Sequence, residues 1–145
     1  MSNVPGTPYS GSSAQGAHIA GERFSDHSGP GPEVMGAGTL KGDAVRNSAG
    51  EDLGKIEDIM LDVRNGQIAY AVLSFGGFLG MGNKLFAVPW SALTLDTDNE
   101  CFVLDVSKER LKDAPGFDKD SWPSMADPRW QGEINTYYGR PAYWE

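Results

Sequence analysis

Five carboxylates, Glu51, Asp52, Glu57, Asp58 and Asp62, crowd one short stretch of the chain. Carboxylates this close could act as an acid–base pair or hold a hard cation through oxygen. In an extended strand, neighbouring side chains point to opposite faces, so Glu57 and Asp58 diverge while Asp58 and Asp62 share a face. That leaves Asp58 and Asp62 as weak metal candidates. No His, Lys or Arg is placed to complete a mechanism with them, and a solvated strand face is the better reading. His18 and His27 both stand in a Gly/Ser/Pro-rich stretch without a third ligand, and no Ser-His-Asp grouping can be assembled from them. The lone cysteine, Cys101, follows Asn99 and Glu100. It lacks the electropositive surroundings of a reactive thiol and reads as a small core filler. The expectation is a protein with no catalytic residues and no cofactor.

Two apolar groups stand apart from this charge. Phe78, Leu79 and Met81 lie among four glycines, Gly76, Gly77, Gly80 and Gly82. The loop has neither the Lys-Ser/Thr end of a phosphate-binding loop nor a helix after it. Its apolar tips must bury somewhere, either as a lid on the fold or, the slightly favoured reading, against a protein partner or a second copy. The second group is the aromatic set near the C-terminus, with Trp130, Tyr137, Tyr138 and Trp144 as interaction candidates. Aromatics can stack nucleic-acid bases, but only beside a basic groove. Residues 107–145 carry 6 Lys/Arg against 7 Asp/Glu, so packing or protein docking is expected instead.

Charge narrows the partners further. The formal net charge is -8 over 145 residues, which disfavours direct nucleic-acid binding and adsorption to anionic membranes. No stretch approaches the ~20 apolar residues of a membrane span. Met1-Ser2-Asn3-Val4-Pro5-Gly6 shows neither the basic nor the apolar region of a secretory signal. A cytoplasmic location without membrane insertion is expected.

These residues must be held by short β-type segments. Residues 1–37 are rich in Gly, Ser and Pro with scattered apolar positions, and they read as a disordered leader. Leu40 to Arg46 reads as a short strand and Leu53 to Asp62 as a second. Asn65-Gly66 then signals a hairpin, because both residues tolerate positive φ. Gln67 to Phe75 is apolar on both faces, so a helix or a partner chain must cover it on the side away from the core. Lys84 to Val88 is a fourth strand ended by Pro89, followed by one helical turn at Trp90 to Leu93, with Trp90 as a core plug. A last hairpin turns at Thr97 to Glu100. Ser107 caps a short helix, Lys108 to Ala114, which Pro115-Gly116 stops. The expected fold is mainly β: a small barrel over residues 38–114, then an irregular aromatic-rich extension over 115–145, with at most a helical turn at Asp127-Pro128. The extension should pack on the barrel or on a partner.

Gly54-Lys55-Ile56-Glu57-Asp58, Asn65-Gly66, Ala69-Tyr70-Ala71-Val72 and Leu85-Phe86-Ala87-Val88-Pro89-Trp90, in that order, resemble the PRC-barrel domain family. Ala114 to Asp118 and Trp122-Pro123 are similar to its small stand-alone bacterial branch. The family also includes the cytoplasmic domain of the photosynthetic reaction centre's H polypeptide and the C-terminal domain of a ribosome-maturation factor. The resemblance implies a PRC-type β-barrel that serves as a protein–protein docking or scaffold module and self-associates as a dimer. It leaves two alternatives: a ribosome or RNA-processing factor acting through a ribosomal protein, and a small-molecule or metal-binding barrel linked to stress response or to photosynthetic and redox complexes.

Overall fold

A computed structural model of the chain describes residues 16–21, 31–75 and 84–144. Two short elements come first, β1 (His18–Ala20) and α1 (Ala37–Leu40). The strands β2 (Ala44–Arg46), β3 (Asp52–Asp62), β4 (Gln67–Phe75) and β5 (Lys84–Pro89) follow, and a 3₁₀ turn (Trp90–Ala92) leads into β6 (Leu93–Asp96) and β7 (Cys101–Leu104). The chain then forms α2 (Lys108–Lys112) and α3 (Pro128–Tyr138).

The described strands make one sheet in the order β1-β6-β7-β2-β3-β4-β5. β5 and β6 are therefore far apart along the sheet, yet only the 3₁₀ turn joins them. Across a flat sheet, roughly 24 Å would separate them, whereas the chain from Pro89 to Leu93 reaches ~14 Å at most. The sheet must roll up, and the short turn closes it into a barrel. Val45, Leu53, Ile56, Phe86, Phe102 and Leu104 fill the interior. The architecture is the mainly β barrel expected from the sequence, with Cys101 buried in it and Trp90 packed at a ring distance of 5.7 Å from Phe102.

β3 wraps this barrel by breaking its own alternation. Its buried positions are Leu53, Ile56, Ile59 and Asp62, every third residue instead of every second. Register shifts lie between Val45 and Arg46 of β2 and at Ile56/Asp58 and Met60/Leu61 of β3. The residues without a partner at these shifts are Leu53 and Glu57 in β3 and Ala69 in β4, and each added residue bends its strand and increases the twist. β4, apolar on both faces, lies between two cores. Ala71, Leu73 and Phe75 face the barrel interior, while Ala69 and Tyr70 join Ala87, Ile134 and Tyr143 in a second cluster outside it. The cover expected for β4 is thus α3.

Four sequence expectations change here. The extension is not irregular throughout: α3 runs through Tyr138, with the Asp127 side chain accepting from the Arg129 N–H and Gly139 ending it. Pro128-Arg-Trp-Gln-Gly-Glu-Ile-Asn-Thr contains weak helix formers, and burial of Ile134 and Gln131 against the barrel stabilises what propensity does not. The leader is not disordered throughout either, since β1 pairs in parallel with β6. Three residues joined by backbone hydrogen bonds leave no periodicity to read. Leu40 closes α1, so the strand expected from that residue begins at Ala44. The β3–β4 hairpin uses a four-residue loop, in which the Asp62 carbonyl accepts from Asn65 at 3.3 Å and Gly66 at 2.9 Å. The helix after Ser107 forms where expected but ends at Lys112, two residues short of Ala114, with Ser107 Oγ accepting from the Arg110 N–H at 3.0 Å.

Candidate docking surface at the barrel mouth

One end of the barrel is open. Leu40, Ile68, Trp90, Leu95 and Phe102 from the barrel, with Gly16, Ala17, Ile19, Pro32, Glu33 and Met35 from the leader, enclose a cleft of about 260 Å³. Among the described residues, Glu33 is the single ionisable one on this wall, so their side chains offer water in the cleft few partners. Exposed apolar side chains stand on its wall or neighbour wall residues in sequence or strand register. Ile19, itself part of the wall, is 38% exposed, and Val34, between Glu33 and Met35, is 70% exposed. Leu61 pairs directly with Ile68 of the wall, and paired residues share a face. It is 57% exposed, and Val63, two residues on, is 91% exposed. Apolar surface gathered in this way, around a cleft, marks an interaction site more often than single exposed residues do.

The sequence candidates fall elsewhere. Phe78, Leu79 and Met81 lie outside the described residues. β4 ends at Phe75, separated by about 23 Å of strand from Ile68 of the cleft wall. Trp130 turns inward, its ring edge-on to Tyr70 at 5.2 Å. Tyr137 and Tyr138 pack on the barrel core. Arg110 donates to the Tyr137 carbonyl at 2.6 Å and lies over its ring at 4.3 Å, and the Tyr137 hydroxyl donates back to the Arg110 carbonyl. Trp144 stays half exposed, edge-on to Tyr143 at 5.0 Å. The extension candidates therefore divide: three tie α3 down and one remains available.

Asp58 and Asp62 do not form a ligand pair. Asp58 faces Lys41 at 3.9 Å and accepts from the Ile59 N–H at 2.8 Å. Asp62 is enclosed, accepting from Tyr143 Oη at 2.6 Å and from Arg64 Nε and Nη2, each at 3.2 Å. Among the described residues, no group of three or more His, Cys, Asp or Glu is placed to hold a metal ion. Asp62 is instead a clasp that fixes the end of the extension to the β3–β4 hairpin, helped by Gln67 Nε2 donating to the Tyr143 carbonyl at 3.3 Å.

The clasp has a pH signature. Hydrogen bonds from Arg64, and next from Tyr143, hold the Asp62 carboxyl down to about 2, whereas an unfolded aspartate titrates near ~3.9. A depressed folded pKa contributes stability that is complete above pH ~4 and is lost as the pH falls toward 2. Urea unfolding at a series of pH values should show Asp62→Asn less stable than the parent at pH 6, with the gap closing between pH ~4 and ~2. A gap independent of pH would mean that the ionised carboxylate contributes nothing.

The apolar mouth leaves only a trace in the sequence. Ile59-Met60-Leu61-Asp62-Val63 carries apolar residues on both parities just before a turn signal. A strand end cannot bury both sets, and past the register shift at Met60/Leu61 it is Leu61 and Val63 that stay exposed while Ile59 is buried. Among the described residues, no helix is long and apolar enough to cross a membrane. In comparisons with known proteins, the family model described as PRC-barrel domain matches residues 32–111, and no curated protein matches the chain. α3 and Tyr143 lie beyond the matched segment, while the clasp's Asp62 lies within it.

Proposed function

The chain belongs to the PRC-barrel domain family, a family of protein-interaction modules, and on that premise we propose that it acts by binding and not by catalysis, docking a protein partner on the apolar mouth. The observation that carries this reading is the open apolar cleft with the exposed Ile19 on its wall, together with exposed Val34, next in sequence to the wall residues Glu33 and Met35, and exposed Leu61, register partner of the wall residue Ile68. Burying such side chains against a partner recovers ~25 cal/mol for each Å² removed from water. The partner surface that fits is apolar at its centre. It needs no basic character, although a net charge of -8 favours partners that are not themselves acidic.

The test compares Leu61→Asp with Phe78→Asp in affinity capture from the native cell, with light scattering to follow self-association. Leu61 is exposed, so its substitution should alter stability by only ~0.5 kcal/mol. Capture should fall at least ~10-fold, as for an interface residue worth more than ~1.4 kcal/mol. Loss with Phe78→Asp alone would move the docking surface to the β4–β5 loop. A partner retained by both variants would refute docking at either the mouth or that loop. Dimerisation is read in the same experiment, as a mass that drops from two chains to one when Leu61 is changed.

A further inference from the structure

We infer that the outer edge of β6 is a receptor for an extended peptide supplied by a partner protein, and that β1 is this chain's own resident occupant of it. The inference rests on the docking reading above and specifies what the mouth receives. β1 is three residues long and runs parallel to β6, pairing His18 with Thr94, Ile19 with Leu95 and Ala20 with Asp96. Two of its three residues are exposed. Without it, β6 would present a row of unpaired N–H and C=O groups, which is the template for strand addition.

The receptor is shaped for its occupant. The Thr97 N–H and Thr97 Oγ1 both donate to the Ala20 carbonyl at 3.0 Å. Gly21 follows at φ +103, and a Cβ there would lie 2.4 Å from Thr97 Oγ1 and 3.0 Å from the Asp98 amide nitrogen. A positive φ and a contact with backbone together require glycine at this position. Upstream, Ala17 and Ile19 lie on the cleft wall, and neither fills it, because about 260 Å³ stays open. The occupant thus meets the backbone requirement and leaves the apolar one incomplete.

These features define the ligand class. It is an extended segment lying parallel to β6, with a large apolar residue at the Ile19 position, a small one at the Ala20 position and glycine immediately after. A partner bearing Phe or Trp in place of Ile19 occupies more of the cleft beside Trp90 and Phe102. β1 competes from within the same chain at an effective concentration on the order of millimolar. Such a resident lowers the apparent affinity for weak ligands and sets a threshold that a well-fitting partner passes.

The test uses the full-length chain and a fluorescent synthetic peptide of residues 15–22 as the probe. Gly21→Val in the protein removes the resident strand from the edge. This variant should bind the peptide at least ~10-fold more tightly than the parent does, by fluorescence polarisation, following removal of the competitor. A peptide carrying Ile19→Phe should bind more tightly again, and one carrying Gly21→Val should not bind. If Gly21→Val unfolds the protein, Ile19→Asp serves as the releasing variant. Equal affinity of parent and released protein, or no binding to a folded released protein, overturns the inference. If capture of a partner still depends on Leu61 while the peptide fails, docking at the mouth stands and strand addition falls. If the peptide binds while capture is indifferent to Leu61, the receptor stands and the wider docking reading falls.

Discussion

Gly54→Ala should lower the thermal unfolding midpoint by ~10–20 °C, measured by circular dichroism. Gly54 lies opposite Val45 of β2, at a register shift in β3. Its φ is +116, and a Cβ would stand 2.1 Å from the Ser74 carbonyl oxygen and 3.0 Å from the Ser74 carbonyl carbon. Those atoms belong to the backbone of β4, a strand paired on both sides, so they cannot rotate away as a side-chain tip would. Backbone strain at such a φ costs about 1–3 kcal/mol and forced overpacking a similar amount. Together they consume a large part of the ~5–15 kcal/mol that keeps a domain folded, and each kcal/mol moves the midpoint by several degrees in a chain of this size. Gly50→Ala is the control. Gly50 also has positive φ, +86, but no heavy atom lies within 4 Å of the place its Cβ would take. It carries the strain alone and should cost ~1 kcal/mol. Equal effects of the two substitutions would show that the close approach to Ser74 is not what holds Gly54 in place.

Ile134→Asp should detach the extension while leaving the barrel folded. Ile134 is 1% exposed and sits in the outer cluster with Ala69, Tyr70, Ala87 and Tyr143. An unpaired carboxylate there costs about 3–5 kcal/mol, more than one short helix gains by docking. The inner core shares none of these five residues, so the strands keep their own source of stability. The expected result is protease sensitivity between residues 115 and 127, and a red shift in tryptophan emission as Trp130 leaves Tyr70. Amide protection in β3, β4 and β7 should persist. Exposure of Tyr70 and Ala87 should also make the variant self-associate as concentration rises. Collapse of the β signal in the same transition as the loss of α3 would show instead that barrel and extension are a single cooperative unit.

The legible parts of this chain are those written in turns and caps. Thr97 to Glu100 turns as read, with the Asp96 carboxylate accepting from the Asp98 and Asn99 N–H groups at 3.0 and 3.2 Å. Ser107 caps α2 as read. The double-faced apolarity of β4 announces a cover, although not its source. α3 is illegible because Gly132, Asn135 and Thr136 argue against a helix and its support comes from strands more than 40 positions earlier. β1 is illegible because backbone pairing carries almost no side-chain code. The acidic run shows its charges but not their partners. Asp62 reads as one solvated carboxylate among five until Tyr143, 81 positions later, is brought onto it. The family match covers the part where local signals are strong and stops before the part where they are weak.

The parallel ladder between β2 and β7 has a consequence in time. Val45 pairs with Phe102, 57 positions later (45 to 102), while the hairpins β3–β4 and β6–β7 each close around four residues. By loop-closure entropy, the ladder costs ~2 kcal/mol more to initiate than either hairpin. During synthesis the hairpin of β3 and β4 is available early, but no closed interior exists until the codon for Leu104 has been read and that residue has cleared the ribosome. Until then the apolar inner faces of β3, β4 and β5 have nothing to close over them. The nascent chain carries its greatest risk of aggregation just before the barrel can first form.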